Sequence, residues 1–193
     1  ECEPLLQNDK FIMETEGVKI CAALEMVTAE LKAEEGILAV KKKNVLAAEK
    51  LREEAEKRKK ISVLDLENFY PAGDEHVLVY EATGRVVPEG GIPLAVGTVV
   101  LNVETLLNIY NAAAESKPVT LRTVTCVGEV RTPKVLRVPV GLPIRALIEA
   151  CGGALVEEPA LILGGPMMGK VTTDLDTPVD KVTGGVGVLS RED

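Results

Sequence analysis

The sequence predicts an α/β fold: a parallel sheet with helices, then a small β-grasp (ubiquitin-like) unit. Three observations predict it. Apolar runs of strand length alternate with helical periodicity across residues 15–66. The texture turns β-branched after Ser116-Lys117-Pro118. From there the order is strand, turn, strand, helix and strand, ending at Leu163. Strands that alternate with helices pair in parallel, because each crossover helix returns the chain to the same end of the sheet.

The elements follow in order. Ile20, Leu24, Val27 and Leu31 recur at helical spacing, so a helix is expected over 15–34 with Gly36 ending it. Ile37 to Val40 is a short buried strand. A second helix is expected over 44–60, with Asn44 as N-cap and Val45, Ala48, Leu51 and Ala55 on its apolar face. Ile61 to Leu66 is the next strand. Tyr70 to Glu75 forms a turn that starts a third helix, which Thr83-Gly84-Arg85 ends. Pro88 to Pro93 is a loop. Gly97 to Asn102 carries a strand signal, and a helix follows over 103–114. In the second part, strands are expected over 119–128 and 134–140, a helix over 144–150 closed by Gly152-Gly153, and a strand over 160–163. The boundary between the two domains falls near residue 116, giving 1–115 and 116–193.

Composition removes several function classes. The 193 residues are 46% hydrophobic and 27% charged, a balance that buries a core. Aromatics make up 3% and Trp is absent, which argues against bases stacked on aromatic platforms. The net charge of −8 disfavours nucleic acid. No apolar run approaches the ~18 residues of a membrane span. Cys2, Cys21, Cys126 and Cys151 form no CxxC pair, so neither zinc nor an iron–sulfur cluster is expected on them. Reduced, mostly buried thiols of a cytosolic protein are expected instead. His76 is the only histidine, and a catalytic triad or a multi-histidine metal site needs more than that. The first residue is Glu1 rather than Met, so a piece of a longer protein is expected.

Residues 41–60 hold nine Lys or Arg against four Glu, a net +5. This stretch reads either as a docking surface for an acidic partner or lipid, or as a solvated helix laced with Glu–Lys pairs, and the second is the ordinary outcome. Residues 164–171, Gly-Gly-Pro-Met-Met-Gly-Lys-Val, satisfy GxxxxGK after a strand. A phosphate loop needs Ser or Thr next to ligate magnesium, and Val171 stands there. Pro166 removes one N–H from the cradle, and Thr172 to Pro178 does not continue as a helix. A tight structural loop with packed or presented Met side chains is expected. Glu1 and Glu3 alternate, so at a strand end both would face one crevice, where carboxylates accept from ribose hydroxyls or ring N–H groups; taken alone, a surface Glu pair is the ordinary outcome. Asp74 and Glu75 open a helix and Asn102 precedes one. Each position suits capping, and each also suits a ligand at the sheet's C-terminal edge.

Five segments now stand in a telling order: Glu1-Cys2-Glu3-Pro4, Tyr70 to Glu75, Thr83 to Pro88, Val99 to Val103, and residues 164–169. Together they resemble the C subunit of the Rnf-type electron transport complex. That family takes in the cobalamin reductase of propanediol metabolism and the proline-reductase-associated electron-transfer protein. It is similar to the NADH- and flavin-binding subunit of respiratory complex I. The resemblance covers nearly the whole chain.

The resemblance implies that residues 1–115 are an incomplete Rossmann-like flavin and NADH domain and 116–193 an SLBB β-grasp domain with a C-terminal extension. It implies a fragment of an electron-transfer flavoprotein in which NADH reduces FMN and electrons leave toward [4Fe–4S] clusters outside this chain. By position, Glu1 and Glu3 match a stretch that contacts flavin and nicotinamide. Gly73, Asp74 and Glu75 match a segment beside the flavin, and Asn102 and Thr105 one near its phosphate. Asp74 departs from the family's usual Gly or Glu, and His76 from the Lys of the Rnf proteins. The N-terminal half lacks a Gly-rich strand–helix turn, so the fragment is expected to bind FMN weakly or not at all. Partner subunits, no nucleic acid, no direct membrane insertion, and a cytoplasmic place at the membrane's inner face are likewise implied. A rival reading is a non-catalytic SLBB module that binds a ligand or partner beside a degenerate nucleotide fold.

Overall fold

The computed structural model describes residues 3–191. They divide into two compact units, one of residues 12–117 and one of residues 3–11 with 118–191. Helix α1 (Asn8–Glu30), of which residues 12–30 belong to the first unit, is broken at Glu16, whose φ/ψ of −121/21 leaves the helical region. The helix begins seven residues before the expected start and stops before Gly36. Lys32, at φ 53, supplies the left-handed residue after its end. Gly36 opens the next strand instead of capping the helix. A β-carbon there would stand 2.5 Å from Thr28 Oγ1 and 2.8 Å from Leu24 Cγ, so the glycine lets the strand lie against α1.

Strand β1 (Gly36–Lys41) pairs in parallel with β2 (Ile61–Leu66), Gly36 opposite Ile61 and Lys41 opposite Leu66. Between them α2 (Val45–Ala55) is shorter than the periodicity predicts. The run Lys57-Arg58-Lys59-Lys60 offers nothing to bury, so the helix ends where its apolar stripe ends. Asn44 stands at the N-cap, yet its side chain makes no cap bond, and Ala47 rather than Val45 is buried. Then come α3 (Glu75–Thr83), a short 3-10 turn (Pro93–Val96) and α4 (Val103–Glu115). The strand expected over 97–102 is absent. That segment has no ladder partner among the described residues, and β-propensity without a partner makes no strand. The core joins Ile12 and Ile20 of α1, Leu38 and Val40 of β1, Leu51 of α2, and Leu106 and Leu107 of α4.

The second unit is a mixed five-stranded sheet. Its strands are β3 (Leu121–Gly128), β4 (Lys134–Pro139), β5 (Ala160–Leu163), β6 (Lys170–Thr172) and β7 (Gly185–Leu189). The order is β4-β3-β7-β5-β6, antiparallel except for β3 with β7. Helix α5 (Ile144–Ala150) brings Ile144, Leu147 and Ile148 onto Val124, Leu161, Val186 and Val188. Thr123 to Cys126 are all buried, where the sequence predicts alternation. β3 lies inside the sheet, and the N-terminal segment joins it there: Gln7 N–H donates to Thr125 Oγ1 at 3.0 Å. Leu6 fills the space beside Gly185, where a β-carbon would stand 2.3 Å from its Cδ2.

Candidate functional site

The sequence-derived candidates gather at two helix starts of the 12–117 unit and at one turn of the other. At the first helix start, Asp74 is extended at φ −61, ψ 142, and its Oδ1 accepts from the N–H of His76 (3.0 Å) and of Val77 (3.3 Å). The cap is satisfied through one oxygen, which leaves Oδ2 outside it. Gly73 is half-buried just before, and Glu75 and His76 are exposed in the first turn. At the second, Asn102 Oδ1 accepts from Glu104 N–H at 2.8 Å and begins a 13-residue helix. Thr105 is exposed one turn in, whereas Glu104 is only 3% exposed. Both caps are what the sequence alone licensed. The exposed Glu75 and Thr105 are what capping leaves over.

Glu3 behaves differently. It lies at a bend and in no strand. Its carboxylate accepts from Met167 N–H at 3.0 Å and Met168 N–H at 2.7 Å. Glu1 lies outside the described residues. The GxxxxGK run is the turn of the β5–β6 hairpin. Lys170 enters a strand, so no helix dipole faces the loop, and Met167 and Met168 present 57% and 85% of their surface to solvent. Sequence reasoning singles out this loop and Glu3 separately but gives no sign that they meet.

The basic stretch resolves into pairs within its own unit. Lys42 pairs with Glu67, Arg52 with Asp65, and Lys57 with Glu54; Arg58 reaches Glu54 at 3.0 Å and Glu25 at 3.8 Å. Cys21, Cys126 and Cys151 are free and buried. Burial pushes the Cys126 thiol up to about 12, with Cys151 beside it adding to the rise, and burial pushes Cys21 up to about 11. Among the described residues, no three His, Cys, Asp or Glu are placed to hold a metal ion, and no helix is long and apolar enough to cross a membrane. A cavity of about 170 Å³ on the β-grasp unit lies between Arg145, Ile148, Ala154, Val156, Pro159 and Leu175. It is smaller than the ~300 Å³ at which small-molecule pockets begin.

Two capped helix starts follow the parallel β1-α2-β2 unit, and a mixed five-stranded sheet with one helix follows them. The chain belongs to the family of the Nuo51 FMN-binding domain, whose family model matches residues 1–111, and the SLBB domain model matches residues 123–171. Among curated proteins, the chain is 41% identical over 191 residues to cobalamin reductase PduS of Citrobacter freundii, covering 99% of this chain and 42% of that protein. It is 33% identical over 193 residues to the C subunit of the Na(+)-translocating ferredoxin:NAD(+) oxidoreductase complex of Acetobacterium woodii, covering 100% and 44%. The chain thus spans less than half the length of these relatives. A crystal structure of NAD+-reducing [NiFe]-hydrogenase in the air-oxidized state shares the fold, with a TM-score of 0.77 at 19% identity over 99% of this chain and 39% of that one.

Proposed function

We propose that this chain is part of an NADH-dependent electron-transfer flavoprotein of the Rnf type. The observation that carries the reading is the match of residues 1–111 to the Nuo51 FMN-binding domain. The chemistry that a bound FMN supplies is acceptance of a hydride from NADH and release of single electrons, toward [4Fe–4S] clusters outside this chain and then to partner subunits. The donor set of the two helix starts fits that cofactor. Asn102, the Thr105 hydroxyl and the open N–H groups at the start of α4 suit a phosphate, because a helix N-terminus carries partial positive charge. Gly73, Asp74 through its Oδ2, and Glu75 suit the N–H and hydroxyl donors of a flavin. For the nicotinamide the reading assigns Glu1 and Glu3, Glu3 through the turn it anchors. Hydride transfer needs no side-chain acid or base, in keeping with a chain that has one histidine.

The whole protein that contains this chain is then yellow, and its flavin absorbance near the visible maximum bleaches when NADH is added without oxygen. A colourless whole protein with no NADH response removes the redox reading and leaves a binding module. The small cavity on the β-grasp unit does not favour that second reading.

A further inference from the structure

We propose that the turn of residues 164–169 is a carboxylate-binding site and that Glu3 is its resident ligand. The loop with a phosphate-loop spacing does cradle an anion, but one supplied by the chain itself. Two consecutive amides converge on it, one per oxygen: Met168 N–H to Oε1 at 2.7 Å and Met167 N–H to Oε2 at 3.0 Å. Such charge-assisted, two-pronged contacts are the stronger kind of hydrogen bond.

Gly165 gives a second, independent sign that the turn is shaped for this ligand. A β-carbon there would stand 2.1 Å from Glu3 Oε2, 2.3 Å from its Cδ and 2.5 Å from its Cβ. The Glu3 side chain therefore occupies the space that any other residue at 165 would fill. The Met side chains do little to order the turn, since both are largely exposed. The turn closes on itself through Gly169 N–H donating to the Gly165 carbonyl at 2.8 Å, and the Glu3 contacts add a closure over 164 to 165 residues in sequence. Glu3 on the turn, Leu6 at Gly185 and Gln7 on Thr125 together pin the N-terminal segment to the β-grasp sheet. The site takes a carboxylate group, and its contacts are read in this chain without cofactor, whatever becomes of the flavin reading.

The test is amide NMR on this chain. Glu3→Ala is expected to shift the Met167 and Met168 amide resonances and to speed their hydrogen exchange about tenfold or more, as the loss of charge-assisted acceptors does. Formate is then expected to restore both resonances saturably in Glu3→Ala while leaving the wild type unmoved, with chloride inert. Gly165→Ala is expected to reproduce the Glu3→Ala exchange rates, and the double variant to add nothing. Unchanged exchange in Glu3→Ala overturns the proposal. So does an equal formate response in the wild type, or additive effects of the two substitutions.

Discussion

The Glu115 carboxylate sits between two ammonium groups of its own unit, Lys117 at 2.6 Å and Lys19 at 2.8 Å. Hydrogen bonds from Lys117 first and Lys19 second hold its pKa down at about 2. An unfolded glutamate carboxyl titrates near the ordinary value of 4.5. A depressed folded value means the stabilisation is fully present above pH ~4.5 and is lost as pH falls toward 2. Carbon-detected NMR titration is expected to give Glu115 a midpoint near 2, and Lys117→Met to raise it more than Lys19→Met does. A Glu115 midpoint near the ordinary 4.5 contradicts the bridge. The buried thiols make the opposite case. Cys126 at about 12 and Cys21 at about 11 hold almost no thiolate at neutral pH, and Cys21, Cys126 and Cys151 are 0% exposed. Brief iodoacetamide treatment under mildly alkaline conditions is expected to leave all three unmodified in the native chain and to alkylate all three in denaturant. Mass spectrometry of the three peptides decides it, and native labelling at Cys126 would count against a closed β-grasp core.

Gly128, at the end of β3, shows how one position can set a whole pairing. It has φ +90, and a β-carbon would stand 2.1 Å from the Val188 carbonyl oxygen of β7. The obstacle is backbone, which cannot rotate aside as a side chain does. Gly128→Ala is expected to cost about 3 kcal/mol, combining a left-handed residue with overpacking. Urea unfolding followed by NMR signals of the β-grasp unit measures it; a loss below ~0.5 kcal/mol would mean that β3 and β7 part easily. Elements with a clear apolar pattern were legible in the sequence: Ile61 to Leu66 and Ile144 to Ala150 stand where it puts them, while β3 begins two residues after the expected 119 and is buried on both faces. Gly36 was not, because a close approach to Thr28 and Leu24 leaves the same sequence mark as a helix cap. Residues 97–102 mislead because a β-branched run records propensity and not the presence of a neighbour. β7, the central strand beside β3, went unread since Gly-Val-Gly-Val-Leu alternates glycine with apolar residues and reads locally as a loop.

At the scale of the molecule, the −8 charge is not a uniform field, since residues 41–60 carry a net +5, of which Lys42 and Arg52 meet carboxylates outside the stretch, Glu67 and Asp65. The candidate site was legible as residue types at helix starts, and both caps formed as their Asp and Asn predict. The Glu3 cradle was not, because its partners lie 164 and 165 residues apart in sequence and both donors are backbone amides. The same division sets the expectation for cofactor binding. In the 12–117 unit the β1-to-α2 connection is Lys42-Lys43-Asn44 and holds no glycine, so no backbone there can close on a pyrophosphate or flavin phosphate as a Gly-rich turn does. On the proposed reading, the phosphate falls to the start of α4. Losing two charge-assisted phosphate hydrogen bonds costs about 3 kcal/mol, roughly a hundredfold in affinity. This chain alone is therefore expected to bind FMN about a hundredfold more weakly than the whole protein does, with Asn102→Ala and Thr105→Val each weakening it further and Met168→Ala leaving it unchanged. Flavin fluorescence titration of the chain and the whole protein side by side measures this. Equal affinities would show that this chain already holds every group the flavin needs, and indifference to Asn102 and Thr105 would move the phosphate elsewhere.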